Sequence, residues 1–111
     1  MNEAGKLNQY DERQLRLMLK SLISFEKQQI ELNALVGTLE FLLSVMELVE
    51  DDWEEKFLSE VTTLGSINAL VIIRASGEEI PNISIDQSDQ LINSALSNLK
   101  ALIERKIWIS R

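Results

Sequence analysis

The chain contains no cysteine and no histidine among its 111 residues. Without cysteine there can be no disulfide, thiolate nucleophile or Cys-ligated metal, and such a composition suits a reducing compartment, so the cytoplasm is the expected location. The further lack of histidine removes Ser-His and Cys-His nucleophile pairs, His-ligated zinc and the Glu-x-x-His ligand sets of di-iron bundles. A pair of carboxylates is one acid–base arrangement that the composition still permits. It needs a cleft that raises one pKa, which a helical domain of this size rarely provides. The expectation is a binding protein and not an enzyme, with no catalytic residue, no cofactor and no metal.

Proline and glycine are also scarce, at one and four residues, so few positions interrupt regular structure. Long apolar runs are missing: Ala69 to Ile73 is typical, far short of the roughly 20 residues of a membrane span. The opening MNEAGKLNQY lacks the basic start and apolar core of a signal peptide. With 45% apolar and 26% charged residues, the composition is that of one folded domain over residues 1–111, able to bury a core unaided.

Apolar spacing predicts helices nearly throughout. Leu15, Met18, Leu19, Leu22 and Ile23 share one face of a helix over about 9–26, with Arg13, Arg16 and Lys20 on the other. Asn33 is placed to cap a second helix over 33–47, carrying Leu35, Val36, Leu39, Leu42, Leu43 and Met46. Gly37 inside it suggests close approach by a neighbouring helix. The run from Glu50 to Glu55 reads as an Asp-capped start of a third helix bearing Trp53, Phe57, Leu58, Val61 and Leu64. Thr62, Thr63 and Gly65 weaken it, predicting a kink or break near Gly65. Ile67, Leu70, Val71 and Arg74 then resume a helical stripe with Gly77 as C-cap, although Val71-Ile72-Ile73 also suits a strand. Pro81 marks a loop, Ser84 or Asp86 caps a last helix to about 106, and Leu91, Ile92, Ala95, Leu96, Leu99, Leu102 and Ile103 form its stripe. The apolar tail Ile107-Trp108-Ile109 either packs on the bundle or lies exposed. The fold class expected is all-α, an antiparallel bundle of four to five helices.

Charge is unevenly placed. Eight of the eighteen acids but one of the eleven bases fall between Glu40 and Glu60, so the other ninety residues carry ten of each and the whole net charge of -7 resides in this segment. Capping a helix and keeping a small domain soluble account for some of it. Six acids clustered from Glu47 to Glu55 exceed what capping needs, and a focused anionic patch attracts and orients a basic partner. Glu47, Glu50, Asp51, Asp52, Trp53, Glu54 and Glu55 are therefore the candidate partner-binding residues. The same patch disfavours nucleic acid. It lacks the alternating ligands and central glycine of an EF-hand loop, which disfavours calcium. Trp53 and Trp108 each fit either a core or an interface position.

The stretch IELNALVGTLEFLLSVMELVEDDWEEKFLSEV from Ile30 to Val61, followed by Ile67-Asn68-Ala69-Leu70, resembles a group of small bacterial helical proteins. Their pattern joins a leucine-rich helix, an L-V-G turn of helix, an acidic D-D-W-x-x-x-F-L segment and I-N-A-L. That group includes immunity proteins of toxin–immunity systems such as contact-dependent growth inhibition, and with the closing helix Leu91 to Ile103 the likeness spans roughly two thirds of the chain. It implies a cytoplasmic protein that binds a cognate basic toxin domain, of nuclease type, and blocks it. It carries no catalytic residue to transfer. A self-associating structural or regulatory helical module is the competing reading, drawn from the apolar stripes and the 107–109 tail, and leaves homo-oligomers open.

Overall fold

The computed structural model describes residues 7–75, 77 and 85–109. Among them run four helices: α1 (Gln9–Glu26), α2 (Leu32–Ser44), α3 (Asp51–Ala75) and α4 (Ile85–Ile109). Each packs on the next in sequence, and α1 against α4 closes the ring, while among the described residues the backbones of the diagonal pairs, α1 with α3 and α2 with α4, do not come close. Bonds between the ends of successive helices make the arrangement antiparallel. Asp11 near the start of α1 meets Glu47 and Leu48 just past α2. Asn33 at the start of α2 meets Asn68 late in α3, and Trp53 at the start of α3 meets Leu102 in the last third of α4. One end of the bundle thus gathers the starts of α1 and α3 and the ends of α2 and α4. No helix among the described residues is long and apolar enough to cross a membrane.

The core is built from the stripes. Leu15, Met18 and Leu22 from α1, Leu35, Leu39, Leu42 and Leu43 from α2, Phe57, Val61 and Leu64 from α3, and Leu96, Leu99, Ile103 and Ile107 from α4 form one buried cluster. Each such side chain contributes roughly 1.5–3 kcal/mol on burial. Ile23, Leu58 and Leu91, at the margins of their stripes, are instead 44%, 40% and 46% exposed. The tail divides: Ile107 is buried in the core and Trp108 is 66% exposed.

Helix ends depart from the sequence expectations for identifiable reasons. Asn8 caps α1, its Oδ1 accepting the Asp11 N–H at 2.6 Å. At the other end Gln28 takes a left-handed φ of 62°. Its N–H donates to Phe25 O and the Gln29 N–H to Ser24 O, both at 2.9 Å, the paired bonds of a Schellman ending whose left-handed position usually belongs to glycine. The turn at 27–31 therefore carries no glycine to announce it. α2 begins at Leu32 and not at Asn33, because the Leu35 N–H already finds Glu31 O at 3.0 Å. Asn33 is free to accept from Asn68 instead. α2 stops at Ser44, three residues early, because the N–H groups of Glu47 and Leu48 go to Asp11.

α3 runs unbroken through Gly65, and Val71-Ile72-Ile73 is helical. Buried Leu64 and Ile67 anchor the helix on either side of the glycine, and burial outweighs a local propensity loss of about 1 kcal/mol. Nor does Gly37 admit a neighbouring helix: it is exposed, and a Cβ there would meet nothing within 4 Å. Gly77, with φ 89°, follows α3 as expected of a C-cap glycine. α4 starts at Ile85, which puts Asp86 inside the helix and not at its cap, and continues to Ile109, three residues beyond the expected end. Ser84 and the Pro81 loop lie outside the described residues.

Exchanging the two misplaced conformational preferences should stabilise the fold. Gln28→Gly relieves a left-handed backbone, and Gly65→Ala, whose Cβ enters open space, restores helix propensity. Each is expected to add about 0.5–1 kcal/mol, read as a rise in Tm of several degrees by circular dichroism; a fall at Gly65→Ala would mean that its backbone is strained.

Candidate functional site

The acidic segment lies where all four helices present a terminus, and its backbone is held by one buried carboxyl group. Asp11 is fully buried. Its two oxygens accept the N–H of Glu47 and the N–H of Leu48, each at 2.8 Å. Asn8 works beside it, accepting the Asp11 N–H through Oδ1 and donating Nδ2 to Glu47 Oε1 at 3.2 Å. The first turn of α1, with its positive dipole end, suits this carboxyl group, and no cation among the described residues pairs with it. The connection between α2 and α3 is thereby clasped through its backbone, while Glu47 and Leu48 face outward, Leu48 being 54% exposed.

A second assembly joins α3 to α4. Glu50 supplies the carbonyl that receives the Glu54 N–H at 2.9 Å, so it occupies the cap position expected for an aspartate, and Asp51 is the first helical residue. The Glu50 side chain accepts from Lys106 Nζ at 2.7 Å. Lys106 is a cation with only 8% of its surface exposed, and its ammonium also lies 5.4 Å from the centre of the Trp53 ring. Trp53 in turn stacks on Phe57 at 5.1 Å and donates Nε1 to Leu102 O at 3.0 Å. Trp53 is thus half-buried and committed to the bundle by three contacts. The hydrogen bond from Lys106 holds the Glu50 carboxyl below its ordinary value of 4.5, outweighing the upward push of burial.

The six acids therefore differ in what they offer. Glu50 is neutralised locally by Lys106, and Glu47 is bonded to the Asn8 amide. Asp51, Asp52 and Glu55 are exposed and Glu54 partly so, with no ion pair among the described residues. Two apolar side chains stand at the same end, Leu48 in the clasped connection and Trp108 in the last turn of α4. Among the described residues, an open groove at the opposite end is lined by Phe25, Gln28, Ile30, Glu31, Asp89 and Ile92. No group of three or more potential metal-ligating residues occurs among the described residues.

The chain matches no family model, no curated protein and no solved structure.

Asp11, Asn8 and Lys106 were not among the residues singled out by sequence. Asn8 followed three positions later by Asp11 has the spacing of a capping box, which signals the helix start but not the acceptor's distant donors. Lys106 stands three residues after Ile103 on the apolar stripe of α4, a position where a lysine must find a carboxylate or reach water.

Two outcomes follow. Asp11→Ala strands the N–H groups of Glu47 and Leu48 and is expected to lose about 2–4 kcal/mol in urea unfolding, with Asp11→Asn losing less because one acceptor oxygen survives. Glu50 has a depressed pKa in the fold, so its stabilising share is complete above pH 4.5 and disappears as pH falls through the lower folded value. Glu50→Gln should flatten that part of the acid limb of a Tm-against-pH curve; the change is small because the group is half-exposed and screened.

Proposed function

We propose that this chain is an immunity-type protein: it binds a cognate basic toxin domain of nuclease type in the cytoplasm and neutralises it, without catalysing a reaction. The observation that carries the reading is the anionic end formed by exposed Glu47, Asp51, Asp52 and Glu55 and partly exposed Glu54, which follows a connection fixed at Glu47 and Leu48 by Asp11. A nuclease must present cationic groups where the phosphate backbone lies. An array of fixed carboxylates can occupy that place, drawing the toxin in by long-range attraction. Preorganisation matters because a connection already held in one geometry loses little entropy on binding. Leu48, exposed at the same end, supplies an apolar contact whose desolvation slows dissociation. Glu50 and Trp53 serve this surface from behind by tying α3 to α4 through Lys106 and Leu102. The resemblance of the Ile30 to Val61 stretch to small bacterial immunity proteins points the same way.

The experiment titrates the full chain by calorimetry into a purified basic nuclease-type toxin domain, taken from a gene adjacent to this one where such a gene exists. Tight binding is expected, with an affinity that drops about tenfold or more between low and physiological salt, and loss of nuclease activity in the complex. Reversal of Asp51, Asp52 and Glu55 to Lys should abolish both; binding that survives the reversal removes the acidic surface from the mechanism.

A further inference from the structure

The outer face of α1 carries a feature that the acidic end does not explain. Arg13, Leu17, Lys20 and Ser24 of α1 and Lys27 at its C-cap follow each other at intervals of four, three, four and three residues, and Arg16 and Ile23 lie beside that line. At 1.5 Å per residue the stripe runs roughly 20 Å along the helix. Leu17 and Ile23 are 42% and 44% exposed, and Arg13, Arg16, Lys20 and Lys27 are exposed as well. Arg16 pairs with Glu12 on the same helix at 2.8 Å. Arg13, Lys20 and Lys27 have no ion pair among the described residues. The stripe is cationic with aliphatic side chains set into it, on a molecule whose net charge is -7. The acidic end is its complement in kind, with Asp51, Asp52 and Glu55 beside exposed Leu48.

We propose that the α1 stripe docks the acidic end of a second copy of this chain, giving a head-to-tail association. Because two different surfaces meet, the contact is heterologous and can extend or close into a ring, unlike a two-fold dimer. The charge balance selects this occupant. An anionic bilayer or nucleic acid presents a uniform negative surface that repels the rest of an acidic molecule. A second copy instead presents a confined group of exposed carboxylates and an exposed leucine at one end, complementary in charge to a stripe of cations interspersed with two exposed aliphatic side chains. The acidic end used here is the surface proposed to hold a toxin, but the inference does not depend on that function, since its test contains this chain alone.

The test is sedimentation equilibrium of the full chain at low salt. The weight-average mass is expected to rise above 12.7 kDa with concentration and to return to it in high salt. A stripe variant (Arg13→Glu, Lys20→Glu, Lys27→Glu) and an end variant (Asp51→Lys, Asp52→Lys, Glu55→Lys) should each be monomeric alone. Their equimolar mixture should associate at least as well as the native chain, because each reversed surface then faces its opposite. Circular dichroism verifies the fold of each, and the neutral set Asp51→Asn, Asp52→Asn, Glu55→Gln, expected to be monomeric, replaces the end variant if that fails to fold. A native chain that stays monomeric throughout, or folded variants whose mixture stays monomeric, overturns the proposal. So does cosedimentation of monomeric native chain with phosphatidylserine vesicles that the stripe variant loses, which would assign α1 to a lipid surface.

Discussion

The bundle's acidic end depends on what Asp11 does with two oxygen atoms. A carboxyl group with no exposed surface must satisfy its lone pairs or forfeit several kcal/mol, and here the donors are the N–H groups of Glu47 and Leu48. From that single requirement follow the early end of α2, the course of the connection into α3 and the outward presentation of Leu48. The same bonds fix α1 against the far end of α2, so a local capping residue becomes a long-range constraint. Lys106 plays the matching part on the other side of the bundle, bringing Glu50 and Trp53 of α3 onto α4. Both devices bury one charged side chain and use it to join segments distant in sequence.

The helices themselves were legible because their information is local. The 3.6-residue recurrence of Leu15, Met18 and Leu22 located α1 to the residue, and the stripes of α2 and α4 named most of the core. Failures occurred where a distant group or a conformational exception decided the matter. Nothing near Glu47 announces that its N–H will turn away from the helix toward Asp11. Gln28 ends α1 in a conformation that glycine normally signals. Gly65 suggested interruption, yet the buried neighbours on both sides kept α3 whole. The acidic cluster was equally plain in the sequence, but not its division of labour, since the cation that engages Glu50 lies 56 residues away.

Charge in this protein is better described as a pattern than as a total. Asp11, Glu50 and Lys106 are absorbed into the architecture, leaving an exposed anionic end and an exposed cationic stripe on α1. A molecule with net charge -7 therefore has two faces of opposite character, and how it behaves toward a partner depends on which face is met. Salt acts on both, but not on the buried clasp to the same degree, because screening falls off where water is excluded. Binding and folding should accordingly respond to ionic strength on different scales.

The clasp has one more property. Asp11 recognises main-chain N–H groups, which every residue except proline possesses. The two bonds to Asp11 are thus indifferent to the side chains at 47 and 48, whose outward positions can change identity, at the cost at 47 of the exposed bond from Asn8, while those two bonds stay the same. A surface constructed in this way can be respecified, residue by residue, without renegotiating the fold that carries it.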